Sequence, residues 1–209
     1  MTAGNDSALR KLMDAIAIGD AAAVERLLDA SPVLARARLE EGATRLAAKE
    51  NRLRGIGHYV YAGDTALHVA AAAYRHHIAR TLIGMGGDVR ARNRRGAEPL
   101  HYAADGRPGS PWWDPVTQGA TVACLIDAGA DPNAVDKSGV TPLHRAVRTR
   151  CTGAVRALLD GGADARRRNK NGSTPMLLAT ITSGRGGSGS PQSKAEQLKI
   201  ARLLEQYRA

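Results

Sequence analysis

A short phrase recurs four times along the chain: Gly63-Asp-Thr-Ala-Leu-His68, Gly96-Ala-Glu-Pro-Leu-His101, Gly139-Val-Thr-Pro-Leu-His144 and Gly172-Ser-Thr-Pro-Met-Leu177. Successive copies lie 33, 43 and 33 residues apart. A fixed period of that size describes a helix pair that cannot bury its own apolar face and must stack on a neighbour. A second phrase keeps the register: Gly86-Gly-Asp88, Gly129-Ala-Asp131 and Gly162-Ala-Asp164. Ahead of it stand apolar trios at i, i+3, i+4, the spacing of one helix face. They are Val122/Leu125/Ile126, Val155/Leu158/Leu159, Ile200/Leu203/Leu204 and Val24/Leu27/Leu28, with Ala79/Leu82/Ile83 carrying a small first residue.

The letters between these phrases agree with such a unit. Thr141-Pro142 and Thr174-Pro175 set a capping hydroxyl before a proline at the first helical position, where its missing N–H costs nothing. Asn93-x-x-Gly96, Asp136-x-x-Gly139 and Asn169-x-x-Gly172 suit a turn that needs a side-chain acceptor and a permissive backbone. Together these motifs resemble the ankyrin repeat. The resemblance implies an all-α repeat solenoid of helix-turn-helix pairs with short β-hairpin fingers. It also implies adaptor or inhibitor work on another protein, without catalysis, cofactor or metal.

The expected layout is one domain over residues 1–209. A capping helix pair at 7–30 is followed by a long inserted link at 31–62. Full repeats span 63–95, 96–138 (with an insertion near 105–115) and 139–171, and the C-terminal repeat at 172–209 carries a Gly/Ser-rich insertion at 183–191. Within the link, Ala43 to Leu53 is expected to be helical. The alternating His58-Tyr-Val-Tyr61 that follows reads as a strand feeding the first finger, although Val60 stands where the other fingers carry Asn or Asp.

The formal charge of +10 is uneven. Arg90, Arg92, Arg94 and Arg95 crowd one finger and Arg166, Arg167, Arg168 and Lys170 another, a ridge that would attract an acidic protein surface or simply keep the solenoid in solution. The first residues show no charged-then-apolar signal pattern and no apolar run long enough for a membrane helix, which predicts a cytoplasmic protein without a membrane partner. Cys124 and Cys151 lack metal or catalytic spacing.

The two inserted loops both read Gly-Arg-x-Gly-Ser, at Gly106–Ser110 and Gly184–Ser188, and both reach a Ser-Pro step. Each Ser-Pro is a candidate start for the following outer helix, with Asp114-Pro115 competing in the first loop. Glycine-rich backbone before a helix makes Arg107 and Arg185 candidates for a small anionic ligand, phosphate or carboxylate, against the plainer alternative of flexible loops. Of seven aromatic residues, six fall between Tyr59 and Trp113. Tyr59, Tyr61, Trp112 and Trp113 are therefore the first candidates for binding anchors, unless a tryptophan folds back over the loop. Tyr102 is expected on the concave surface, and Tyr74 at the position where the repeat usually ends its inner helix with glycine.

His68, His101 and His144 occupy the repeat's own motif position, and the resemblance implies that they tie neighbouring units together. His58 lies outside the pattern. The leading reading is a protein–protein interaction module that uses its concave finger-and-inner-helix face, with Tyr59, Tyr61, Tyr74, Tyr102, Trp112, Trp113, Arg92, Arg94, Arg95, Arg107 and Arg185 as binding residues. The alternative is an enzyme or small-molecule binder with a pocket walled by the loops, in which His58, Tyr61 and His101 would be catalytic. Nucleic-acid binding through the arginine fingers is a third and weaker reading, because aromatic residues do not interleave with the basic ones.

Overall fold

In the computed structural model, which describes residues 2–44, 48–180 and 191–207, helix pairs stack side by side. The inner row is α1 (Thr2–Ile18), α3 (Ala66–Ala72), α5 (Pro99–Ala104), α7 (Pro142–Arg148) and α9 (Pro175–Thr180). The outer row is α2 (Ala21–Ala30), α4 (His76–Gly84), α6 (Pro115–Asp127), α8 (Thr152–Asp160) and α10 (Pro191–Gln206). Among the described residues the only sheet is a hairpin of β1 (Arg52–Leu53) and β2 (His58–Tyr59). No helix there is long and apolar enough to cross a membrane. The apolar trios form one continuous core: Leu82, Val122, Leu125, Val155, Leu158, Ile200 and Leu204 are all fully buried.

The inner helices α3 and α7 start by the same reciprocal cap. The Thr65 N–H donates to His68 Nδ1 at 3.1 Å, and the Thr65 hydroxyl accepts from the His68 N–H. An Nδ1 that accepts a backbone N–H carries no proton, so in the neutral ring Nε2 does. That Nε2–H reaches into the next unit, to Ala97 O at 3.2 Å. His101 donates likewise to Val140 O and His144 to Ser173 O, each at 3.0 Å. Burial holds all three imidazoles below their ordinary range, His101 at about 3. Tyr74 after α3 and Arg150 after α7 sit at φ +56° and +61°, filling the usual glycine position with a left-handed residue.

Finger tips close on a side-chain oxygen. Asn93 Oδ1 accepts from the Arg95 and Ala97 N–H groups, Asp136 Oδ1 from Ser138 and Val140, and Asn169 Oδ1 from Asn171 and Ser173. Two backbone bonds complete each tip, such as Asn93 N to Ala97 O and Gly96 N to Asn93 O. The first finger makes the same pair with Leu39: its N–H donates to Asp64 O, and Gly63 N–H donates to Leu39 O. Leu39, not Val60, thus holds the tip position, and residues 40–61 are an excursion between the two arms of one finger.

The expected helix over Ala43 to Leu53 is not what the described residues form. Residues 45–47 lie outside them; Lys49–Asn51 make a single 3-10 turn, and β1 takes Arg52–Leu53. Pairing decides this, because Val60 N–H donates to Asn51 O and Ala43 N–H to Val60 O. The first insertion also starts its helix differently from the Ser110-Pro111 reading. Asp114 caps α6 by accepting the Val116 N–H at 2.8 Å, so Asp114-Pro115 is the start. Residues 181–190 lie outside the described residues, and with them Arg185 and the second insertion.

One capping position breaks the pattern. Glu98 replaces the threonine of the other units, and its Oε2 is buried without a partner while Oε1 accepts from Arg92 at 2.9 Å. Burial raises its carboxyl above the ordinary 4.5, against the pull of Arg92. Restoring the threonine, Glu98→Thr, should stabilise the fold by about 1 kcal/mol in denaturant unfolding at pH 7. A raised carboxyl favours its protonated form when folded, so the wild type loses stability as pH rises through that value. The gain from Glu98→Thr should therefore shrink when the same melt is run at pH 4. The histidines act in the opposite sense, since a lowered imidazole is neutral when folded and protonated when unfolded. Stability should fall as pH drops from about 6.5 towards about 3, by up to about 1.4 kcal/mol per pH unit for each histidine. A His101→Gln chain should show a shallower acid slope in the same titration.

Candidate functional site

The excursion lies across the concave face of the first units. Its glycine turn packs on the end of α1: a methyl built on Gly55 would stand 3.1 Å from Ala17 O and 3.2 Å from Ile18 Cγ2. At the other end the His58 ring rests on the Tyr102 ring of α5, centroids 4.5 Å apart. Between them Leu53 and Val60 point inward and are buried. Arg10 of α1 anchors the excursion through Asn51 Oδ1 (2.8 Å) and Glu41 O (3.0 Å).

The sequence of α3, which stands between α1 and α5 in the inner row, is rich in alanine. Ala66, Ala70, Ala71, Ala72 and Ala73 give the helix little side-chain bulk, so another backbone can approach it. Ala66 through Ala71 are all buried, as are Pro99 through Ala104 of α5. A helix buried all round has no free face. Past the cover, Arg145 of α7 and Leu178 of α9 remain partly exposed at the positions that match Tyr102.

Beneath the hairpin is a closed polar cluster. Asp64, fully buried, accepts from Asn93 Nδ2 (2.8 Å), the Tyr61 N–H (2.7 Å) and the Tyr102 hydroxyl (2.8 Å). Those bonds leave Tyr102 as a donor, and burial, then Asp64, raise its phenol well above the ordinary range. Burial pushes the His58 imidazole down, against the attraction of Asp105 and Asp64. His101, in contrast, is sealed between Glu98 N–H and Val140 O. The three residues of the catalytic alternative therefore have separate surroundings: His58 on Tyr102, His101 in its cap, and Tyr61 accepting at its hydroxyl from Arg95 (3.0 Å). Two shallow concavities border the excursion. One is lined by Arg10, Met13, Asp14 and Leu53, the other by Glu40, Thr44 and Arg94.

The loop after α5 closes over the helix ends. Trp113 is half-buried, with its indole N–H on Gln118 Oε1 at 2.9 Å. Gln118, wholly buried, donates in turn to Ala103 O. Tyr74 spans the joint by donating to Asp105 O at 2.7 Å. Gly106 leaves no room for a side chain, since a methyl there would lie 2.4 Å from Cys151 Sγ. Burial pushes that thiol up to about 11, and Cys124 is buried as well. Trp112 stays near the surface with the Arg107 guanidinium 5.6 Å over its ring. The Asp114 carboxylate already occupies the α6 N-terminus, where an anion would bind.

Sequence reasoning paired the arginines with an outside partner, but most of the first cluster bond within the stack. Arg90 donates to Gly129 O, Arg92 to Glu98 and Val135 O, Arg94 to Ala43 O, and Arg95 to Tyr61. Arg94 and Arg95 also stand 5.4 and 5.1 Å over the Tyr61 ring. Two residues that sequence reasoning passed over complete the surface: Arg52, which pairs with the outward-facing Tyr59 across the hairpin, and Gly57 at its turn. The alternation of Arg52/Leu53 and His58/Tyr59/Val60 was the available signal.

Residues 12–110 match the family described as ankyrin repeats (3 copies), and residues 125–179 that described as ankyrin repeats (many copies), about three quarters of the chain between them. A segment covering 43% of the chain is 40% identical over 90 residues to the E3 ubiquitin-protein ligase KEG of Arabidopsis thaliana. The match spans 5% of that protein's length. With its phased capping boxes, closed fingers and stacked helix pairs, this chain belongs to the ankyrin-repeat family.

Proposed function

We propose that the chain is a protein–protein interaction module whose recognition surface is the outer face of the excursion and the adjoining tryptophan loop. Ankyrin repeats are generally modules of this kind. The observation that carries the reading is the hairpin laid from the end of α1, where Gly55 meets Ala17, to Tyr102 of α5 under the His58 ring. A groove already filled by its own chain has no inner-helix face to offer over those units. What it presents outward instead is Tyr59 beside Arg52, next to the half-buried Trp112 under an exposed Arg107.

The aromatic residues suit this work. Tyr and Trp supply large, stiff contact areas with a polar tip, and interfaces concentrate their binding energy on such anchors. Tyr59 is 38% exposed, unlike Tyr102, which is 2% exposed and serves the fold. Trp113 belongs with Tyr102 and Trp112 with Tyr59.

Replacing Tyr59 or Trp112 by Ala should weaken retention of captured proteins from native lysate by about tenfold, roughly 1.4 kcal/mol each. The thermal midpoint should move little, and Val116→Ala on the exposed first turn of α6 should leave retention unchanged. Dependence on Leu178 instead, with Tyr59→Ala and Trp112→Ala indifferent, would assign binding to the open C-terminal groove and overturn this reading.

A further inference from the structure

We infer that this surface recognises an acidic polypeptide segment, whose carboxylates bond to guanidinium edges held ready by the hairpin and the tryptophan loop; the inference rests on the interaction reading above. Arg52 and Arg107 are exposed, and among the described residues neither has a carboxylate within ion-pair distance. They converge on one point of the hairpin turn. A methyl built on Gly57 would lie 3.3 Å from Arg52 Nη2 and 3.9 Å from Trp112 Cζ2, and Arg107 lies over the Trp112 ring.

The stacking decides what Arg107 can bind. A guanidinium lying on an aromatic ring keeps its N–H edge free, and that edge matches a carboxylate in a two-pronged arrangement. The ring fixes the long side chain, so less rotamer freedom is lost on binding. The same stacking argues against single-stranded nucleic acid. Bases need free aromatic faces, whereas guanidiniums stand over Trp112 and Tyr61. Charge points the same way. Arg52, Arg54 and Arg107 sit on the outer side of the hairpin and loop within a chain of net charge +10. Each guanidinium of the first finger cluster, in contrast, already gives a donor inside the stack, to Gly129 O, Val135 O, Ala43 O or Tyr61.

The probe is a fluorescein-labelled ten-residue oligoglutamate, titrated against the whole chain at low salt with anisotropy as the readout. Binding should weaken about fivefold with either Arg52→Gln or Arg107→Gln, and by a similar factor with Trp112→Leu, which keeps Arg107 but removes its platform. Arg167→Gln on the distant finger removes the same charge and should change it less than twofold, with thermal melts confirming that every variant folds. Equal loss with Arg167→Gln would reduce the effect to overall charge and overturn the proposal. So would tighter binding of a ten-nucleotide oligothymidylate than of the oligoglutamate. If oligoglutamate ignores Arg52 and Arg107 while capture from lysate still needs Tyr59 and Trp112, the interaction module stands and only this chemistry falls.

Discussion

Neighbouring units of this stack are held by groups that have no partner inside their own unit. The imidazole of each capping box turns one nitrogen inward to the helix start and hands its proton to a carbonyl one unit further on. The fingers do the same with backbone alone: Arg94 N–H donates to Ala62 O, Lys137 N–H to Arg95 O and Lys170 N–H to Ser138 O. Buried polar groups left unmade would each cost about 1–3 kcal/mol, so the units cannot slide or part without that loss. In the last unit Leu177 takes the imidazole position and is half-exposed, so the chain of inter-unit donors stops there.

Because a finger is closed by two bonds at its tip, a long segment can leave and re-enter between them without disturbing the register. The entropy of closing a loop grows only slowly with its length, so the excursion at 40–61 costs little more than a short turn. What it needs is somewhere to lie. The end of α1 takes its glycine turn, and Tyr102 provides a ring for His58. The polar cluster beneath is then obligatory: Asp64 is sealed from water and must be satisfied, as it is by Asn93, Tyr61 and Tyr102. Cover, helix and cluster form one cooperative piece.

The periodic part of this structure was legible because each letter has one local reason. Thr-Pro starts a helix, Asn-x-x-Gly closes a tip, and the apolar trio marks a face, so helix pairs, caps and fingers follow directly. The candidate surface was less legible because its determinants are distant in sequence. Nothing about Leu39 announces that it pairs with Asp64 across the excursion, and Tyr102 reads as a groove residue until His58 covers it. Ser110-Pro111 and Asp114-Pro115 are equal starts on paper; the latter wins where the helix must pack on its neighbour, with Pro115 O against Gly153. An inner helix with so many alanines was the one local hint of a covered face.

The arginines show how little composition alone decides. Those on the first finger cluster and those on the hairpin and loop carry the same charge, yet Arg90 and Arg92 meet a carbonyl one repeat away whereas Arg107 of the loop meets the Trp112 ring. A guanidinium bonded to a carbonyl keeps its full charge while one of its donors is committed and its position is fixed. Both sets therefore contribute to the long-range field that raises encounter rates with an acidic surface, an effect that salt weakens. Short-range recognition needs donors as well as charge, and those remain where no backbone acceptor is in reach. Periodicity thus divides the arginines: those of the first finger bond to neighbouring segments of the stack, while Arg52 and Arg107, on segments that leave the period, have no carboxylate within ion-pair distance among the described residues.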